Sequence, residues 1–127
     1  MSDFPIAENT EGLPALDAEA LMEAASDDLT EAASLVTLFF RLAAEQFELM
    51  RRALDNQEPA EAARAAHRAA GSAATCGFPA LESVLRAIEY TATAGGNFER
   101  LLEQAGRELQ RARQAVQVFL SEGRSDE

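Results

Sequence analysis

Apolar side chains return along this chain at the three- and four-residue intervals of a helix, in four long stretches and one short one. In the longest, from about Leu29 to Asn56, Val36, Phe40, Ala43, Phe47, Met50 and Leu54 follow at steps of four, three, four, three and four. Leu35, Phe39, Leu42 and Leu49 widen that stripe, and its breadth and three Phe predict a central helix meeting two neighbours. Asn56-Gln57-Glu58-Pro59 closes the helix, and Pro59 can open the next, because a first helical turn does not use the N–H that proline lacks. From Pro59 to Gly77, the small residues Ala62, Ala66, Ala69, Ala73 and Cys76 form a core-facing line against which the bulky second helix can lie close. The opposite line holds Arg64, His67, Ala70, Gly71 and Ala74, flanked by Arg68 and Ser72.

Gly77-Phe78-Pro79 reads as a stop followed by a start. The next helix, about Pro79 to Ala94, buries Leu81, Leu85, Ile88 and Ala92 and ends at Gly95-Gly96 in a left-handed C-cap. Asn97 then caps a last helix carrying Phe98, Leu102, Ala105, Leu109, Ala112, Val116 and Phe119 in helical register. Ahead of the long helices, Asp17 caps a short one running to about Ser26, with Leu16, Ala20, Leu21 and Ala24 available to pack. The Ser26-Asp27-Asp28 cluster either breaks that helix or caps the following one. Residues 1–14, aperiodic and acidic with two prolines, are expected to be a flexible lead-in, and residues 124–127 a charged tail. Between them, residues 15–123 predict one all-α domain. Four long amphipathic helices on short loops must alternate in direction, giving an up-down-up-down antiparallel four-helix bundle with a short extra N-terminal helix.

Composition agrees with an all-helical domain. The 127 residues suffice for a single core, and Ala, Leu, Glu, Gln and Arg, all strong helix formers, predominate. The net charge of −11, with arginine as the only cationic residue type, argues against nucleic acid or an anionic membrane as partner. One cysteine, Cys76, excludes an internal disulfide and reads as a small buried apolar side chain. The start of the chain lacks the basic and apolar regions of a signal peptide, and no apolar run approaches membrane-spanning length, so a cytoplasmic protein is expected.

The single histidine, His67, stands one turn before Gly71. A mid-helix glycine costs ~1 kcal/mol relative to alanine, and what it leaves is bare backbone beside the imidazole, where another macromolecule can come close. The motif around it is Ala66-His67, then Gly71-Ser72 and Gly77, preceded by Ala53-Leu54 and followed by Leu81 and Ile88-Glu89. On these residues, and over roughly Leu16 to Phe119, the sequence resembles the histidine-containing phosphotransfer (HPt) domain of bacterial phosphorelays.

The resemblance implies that His67 accepts a phosphoryl group on Nε2 from a receiver-domain aspartate and passes it to another. It implies that Gly71 leaves room for the receiver loop and that Glu89 takes a hydrogen bond from Nδ1. A carboxylate there has physical sense: it holds the proton on Nδ1, leaves Nε2 free to attack, and stabilises the ring cation that forms with the N–P bond. Arg86, Glu89 and Thr93 share a helix face next to the Leu85/Ile88 core line. Members of the family commonly carry a lysine three residues after the histidine, where this chain has Ala70. Either Arg64, Arg68 or Arg86 supplies the missing charge, or the receiver supplies all of it with its own Mg²⁺ and lysine.

The expected partners are the receiver domains of a hybrid sensor histidine kinase and of a response regulator. Docking is expected on a shallow apolar rim around His67 made by the second and third helices, with Ser72 beside it. No cofactor is expected on the chain itself, Mg²⁺ belonging to the receiver, and without a Gly-rich nucleotide loop the chain is read as a phosphocarrier, not an enzyme. A free-standing monomer is expected. The alternative is a degenerate module of the same fold that binds a receiver or kinase without transferring phosphate. A metal- or haem-bearing bundle is poorly supported: di-iron bundles place Glu-x-x-His on two helices, and one histidine cannot satisfy that.

Overall fold

The computed structural model describes residues 12–125 as five helices: α1 (Ala18–Ala24), α2 (Leu29–Asp55), α3 (Pro59–Cys76), α4 (Pro79–Thr93) and α5 (Glu99–Ser125). No strand occurs among the described residues. The long helices pack in a closed ring, α2 on α3, α3 on α4, α4 on α5 and α5 back on α2, and α1 lies against α2 and α3. This is the expected four-helix bundle with its extra N-terminal helix.

Each boundary has a local cause. The Asp17 carboxylate accepts from the Ala20 N–H at 3.1 Å and caps α1. Ser26-Asp27-Asp28 does both things that its sequence allowed. Ser26 and Asp27 take left-handed φ values of 55° and 62° and turn the chain, and Asp28 then caps α2 through the N–H groups of Thr30 and Glu31. Pro59 and Pro79 each open a helix. Gly95 adopts φ 81° just past α4, and the Asn97 side chain accepts from the Glu99 N–H at 2.8 Å at the start of α5.

Gly77 makes the corner between α3 and α4, and its conformation is required. Its φ is 84°, and a Cβ there would stand 2.5 Å from the Asp17 carbonyl oxygen. The Asp17 N–H donates to the Gly77 carbonyl at 2.7 Å, and the Ala80 N–H donates to the Pro14 carbonyl at 3.3 Å. The start of the described chain is therefore laced to this corner. Pro14, expected to belong to a flexible lead-in, is tied down by that bond. The rest of the expected lead-in up to Glu11 lies outside the described residues. Phe78, fully buried, plugs the bundle beside Phe39 and Phe40, with ring centroids 4.9 Å and 5.6 Å away.

The core contains Val36, Phe39, Phe40, Ala43 and Met50 of α2, Leu81, Leu85 and Ile88 of α4, and Leu102, Ala105, Ala112 and Val116 of α5. Three expectations need correction. Ala70 is not on the open line of α3: it is fully buried, as are Ala62, Ala66 and Ala73, with Ala65 and Ala69 almost so. The helix is pressed on one side by α2 and on the other by α4, so its buried face is wider than a single stripe. In α1, Ala24 is exposed and Ala25 is buried in its place. Finally, α5 does not stop at Gly123 but continues to Ser125. Gly123 is a close-packing residue, since a Cβ on it would come within 2.9 Å of the Leu29 side chain.

Candidate functional site

α3 and α4 are antiparallel neighbours, and their register brings His67 and Glu89 together. The His67 Nδ1 lies 2.9 Å from Glu89 Oε2. A carboxylate oxygen accepts, so in the neutral ring this contact selects the tautomer with its proton on Nδ1 and its lone pair on Nε2. The His67 side chain is 66% exposed and that of Glu89 31%, so the pair stands at the surface with the carboxylate tucked behind the ring. Among the described residues, nothing is hydrogen-bonded to Nε2.

Glu89 is itself held. Its other oxygen, Oε1, lies 3.8 Å from the Arg86 guanidinium, which also meets Glu82 at 3.4 Å. The three form one row along α4, at the i, i+3 and i+4 spacings that bring helix side chains together. Arg86 thus stands behind the carboxylate, against the far side from the imidazole.

On the α2 side, His67 borders a shallow hollow between α2 and α3. Its walls are Phe39, Leu42, Ala43 and Gln46 from α2 and His67, Arg68, Gly71, Ser72 and Thr75 from α3. Leu42, read from sequence as part of the core stripe, is 41% exposed there, and Leu38 and Leu49 of the same helix are also exposed. Gly71 lies open on the surface, where an added Cβ would meet nothing within 4 Å. Internal packing therefore does not demand a glycine at this place. The Gly71 carbonyl accepts from the Thr75 hydroxyl at 3.2 Å, the back-bond typical of a helical threonine.

The sequence-expected site residues divide. His67, Arg68, Gly71 and Ser72 share the hollow, and Glu89 joins from behind with Arg86 at its back. Arg64 does not join them: it pairs with Glu61 one turn earlier on α3. With Ala70 buried, the position three residues after His67 presents no side chain to the surface. Two contributions escaped the sequence reading. Gln46 reaches the hollow with a buried Oε1 that has no hydrogen-bond partner among the described residues, and its signal was a polar residue seven after Phe39 on an otherwise apolar face. The Arg86–Glu89 pair was legible only as an i, i+3 spacing.

Cys76 lies buried at the end of α3, and burial pushes its thiol above the ordinary cysteine range. Such a thiol is unreactive packing material. No helix among the described residues is long and apolar enough to cross a membrane.

Comparison with known proteins yields one assignment. Residues 34–122 match the family model of the Hpt domain, from the first turns of α2 into the last turns of α5, and the match includes His67, Gly71 and Glu89. A search of the curated proteins finds no match. Because the family match takes in most of the chain, including all of α3 and α4, the protein belongs to the Hpt domain family of two-component phosphorelays.

Proposed function

We propose that the chain is a histidine phosphotransfer protein that carries a phosphoryl group between receiver-domain aspartates on Nε2 of His67. The observation supporting this most strongly is the exposed imidazole whose Nδ1 is engaged by Glu89 at 2.9 Å while Nε2 is free. In the forward step, the Nε2 lone pair attacks phosphorus of the aspartyl phosphate. The N–P bond forms as the P–O bond to the aspartate breaks, and the aspartate leaves as a carboxylate. Nδ1 keeps its proton throughout, so the phosphorylated ring is a cation, and the Glu89 carboxylate faces it. The Arg86 guanidinium, 3.8 Å from the other carboxylate oxygen, helps to keep Glu89 on that side of the ring. The reverse step returns the group to a second receiver.

Transfer of this kind is mostly a matter of placing reactants in line. The hollow beside His67 suits that task, with exposed Leu42 for apolar contact and open backbone at Gly71 for close approach. The receiver contributes its own Mg²⁺, and the relay operates in the cytoplasm. A second reading, a receiver-binding module that has lost transfer, draws on Ala70, a buried methyl side chain where the family commonly has a lysine.

One experiment separates the two. A receiver charged with radiolabelled phosphate is mixed with the protein, and label is followed onto the chain and then onto a second receiver. Passage of label in wild type and its loss in His67→Gln is the expected result. Receiver binding without label on the chain supports the module, and label that persists in His67→Gln contradicts the assignment of the acceptor.

A further inference from the structure

The three arginines near the site do not have equal claims on an incoming phosphoryl group, and their ion pairs sort them. Arg64 is paired with Glu61. Arg86 lies between Glu82 and Glu89, so two carboxylates already balance its charge, and it sits behind Glu89 rather than in the hollow. Arg68 has no ion-pair partner among the described residues, is exposed, and lines the same hollow as His67, Gly71 and Ser72. Ala70, three residues after His67, has no charge to offer and is fully buried. Among the residues lining the hollow, Arg68 is the one that carries a permanent charge, and that charge is positive on a chain of net charge −11.

We propose that Arg68 is the cation of this chain that contacts the phosphoryl oxygens during transfer, and that Arg86 acts only by positioning Glu89. The proposal rests on the phosphocarrier reading above and assigns within it a division of charge. The chemistry favours it. A phosphoryl group in transit spreads negative charge over its equatorial oxygens, and a guanidinium can meet two of them at once through its fork of N–H donors. A guanidinium free of carboxylates can turn to that task without first breaking an existing pair. Arg64 and Arg86 would each have to give one up.

A partner-free donor tests the assignment without any contribution from receiver docking. Phosphoramidate serves: His67 Nε2 attacks its phosphorus, the N–P bond to the histidine forms, and the donor's own P–N bond breaks to release ammonia. Labelling of the full chain is followed by ³¹P NMR for wild type, Arg68→Ala, Arg68→Lys and Arg64→Ala. The expected result is a rate lowered about tenfold in Arg68→Ala, as the loss of one charge-assisted contact in the transition state would produce. Arg68→Lys should recover most of it, and Arg64→Ala, an equal loss of charge one turn away, should label at the wild-type rate. Added salt should favour Arg68→Ala over wild type: screening relieves the repulsion between the anionic donor and a chain of net charge −11 in both, but only in wild type does it also weaken an attraction at Arg68, a difference that a merely structural effect would not cause.

Equal rates in wild type and Arg68→Ala, with His67 still labelled, overturn the role of Arg68 and leave the phosphocarrier reading intact. Equal slowing in Arg68→Ala and Arg64→Ala also overturns it, showing a general effect of surface charge. Absence of label on His67 in the wild type, under conditions that phosphorylate free imidazole, overturns both.

Discussion

Replacing Gly71 should move stability and transfer in opposite directions. In α3 the residue is exposed, with helical neighbours on both sides, and an added Cβ meets nothing within 4 Å. Gly71→Ala therefore removes the backbone entropy cost of a mid-helix glycine without any steric penalty, a gain of ~1 kcal/mol. For a domain of this size that corresponds to a rise in Tm of about 4 °C. Gln is nearly as good a helix former, so Gly71→Gln should keep most of the gain while placing a long side chain over the hollow beside His67. If that side chain holds the donor phosphorus off by even 1 Å, transfer should slow by about 100-fold. Thermal unfolding followed by circular dichroism measures the first effect, and stopped transfer from a charged receiver the second. Phosphoramidate labelling of Gly71→Gln should stay near wild type, because a small donor does not need the open backbone. The reasoning is refuted if Gly71→Ala destabilises the protein, or if Gly71→Gln accepts phosphate from a receiver at the wild-type rate.

Three other expectations follow from the same geometry. Glu89→Ala should slow phosphorylation about tenfold, ~1.4 kcal/mol in the barrier, with an unchanged helical spectrum; Glu89→Gln, which keeps an acceptor for Nδ1–H but no charge, should fall between. Gly77→Ala should destabilise by about 2 kcal/mol or more, from its left-handed φ and the clash with the Asp17 carbonyl, seen as a lower urea midpoint. For Cys76, burial raises the thiol above its unfolded value, so the folded state disfavours the thiolate. Its contribution to stability should be complete at neutral pH and be lost as pH rises past the ordinary thiol range near 9.0, and Cys76→Ala should lack this part of the alkaline slope.

The parts of the fold that sequence revealed are those where one residue type has one mechanical use. Pro59 and Pro79 open helices, Asp17 and Asn97 offer side-chain oxygens to bare N–H groups, and the large apolar residues of α4 repeat with a single buried face. Where side chains are nearly uniform, the period is ambiguous. In α3, the buried face is almost all alanine, with Ala60 and Ala74 on the open one, so periodicity could not tell that Ala70 is covered by its neighbours while His67 and Gly71 are not. Leu42 misled for the opposite reason: it has a core residue's chemistry but lines an open hollow. Glycines carry the same ambiguity. Gly77 is fixed by its backbone angle, Gly123 has only the movable end of a leucine side chain against it and Gly71 has open space, and only the surroundings tell them apart.

The candidate site was legible as residue types and less so as geometry. His67 and Glu89 stand out on separate helices, but their contact depends on the register of α3 against α4, which the corner at Gly77-Phe78-Pro79 sets. Which arginine is free depends on the neighbouring carboxylates of all three, and i, i+3 spacing alone does not decide it.

The account turns on which ring nitrogen of His67 takes the phosphoryl group. Phosphorylated protein carrying ¹⁵N-labelled histidine should show phosphorus coupled to Nε2, with Nδ1 still protonated and its shift altered in Glu89→Ala. Phosphorus on Nδ1, or a phosphorylated residue other than His67, would contradict it.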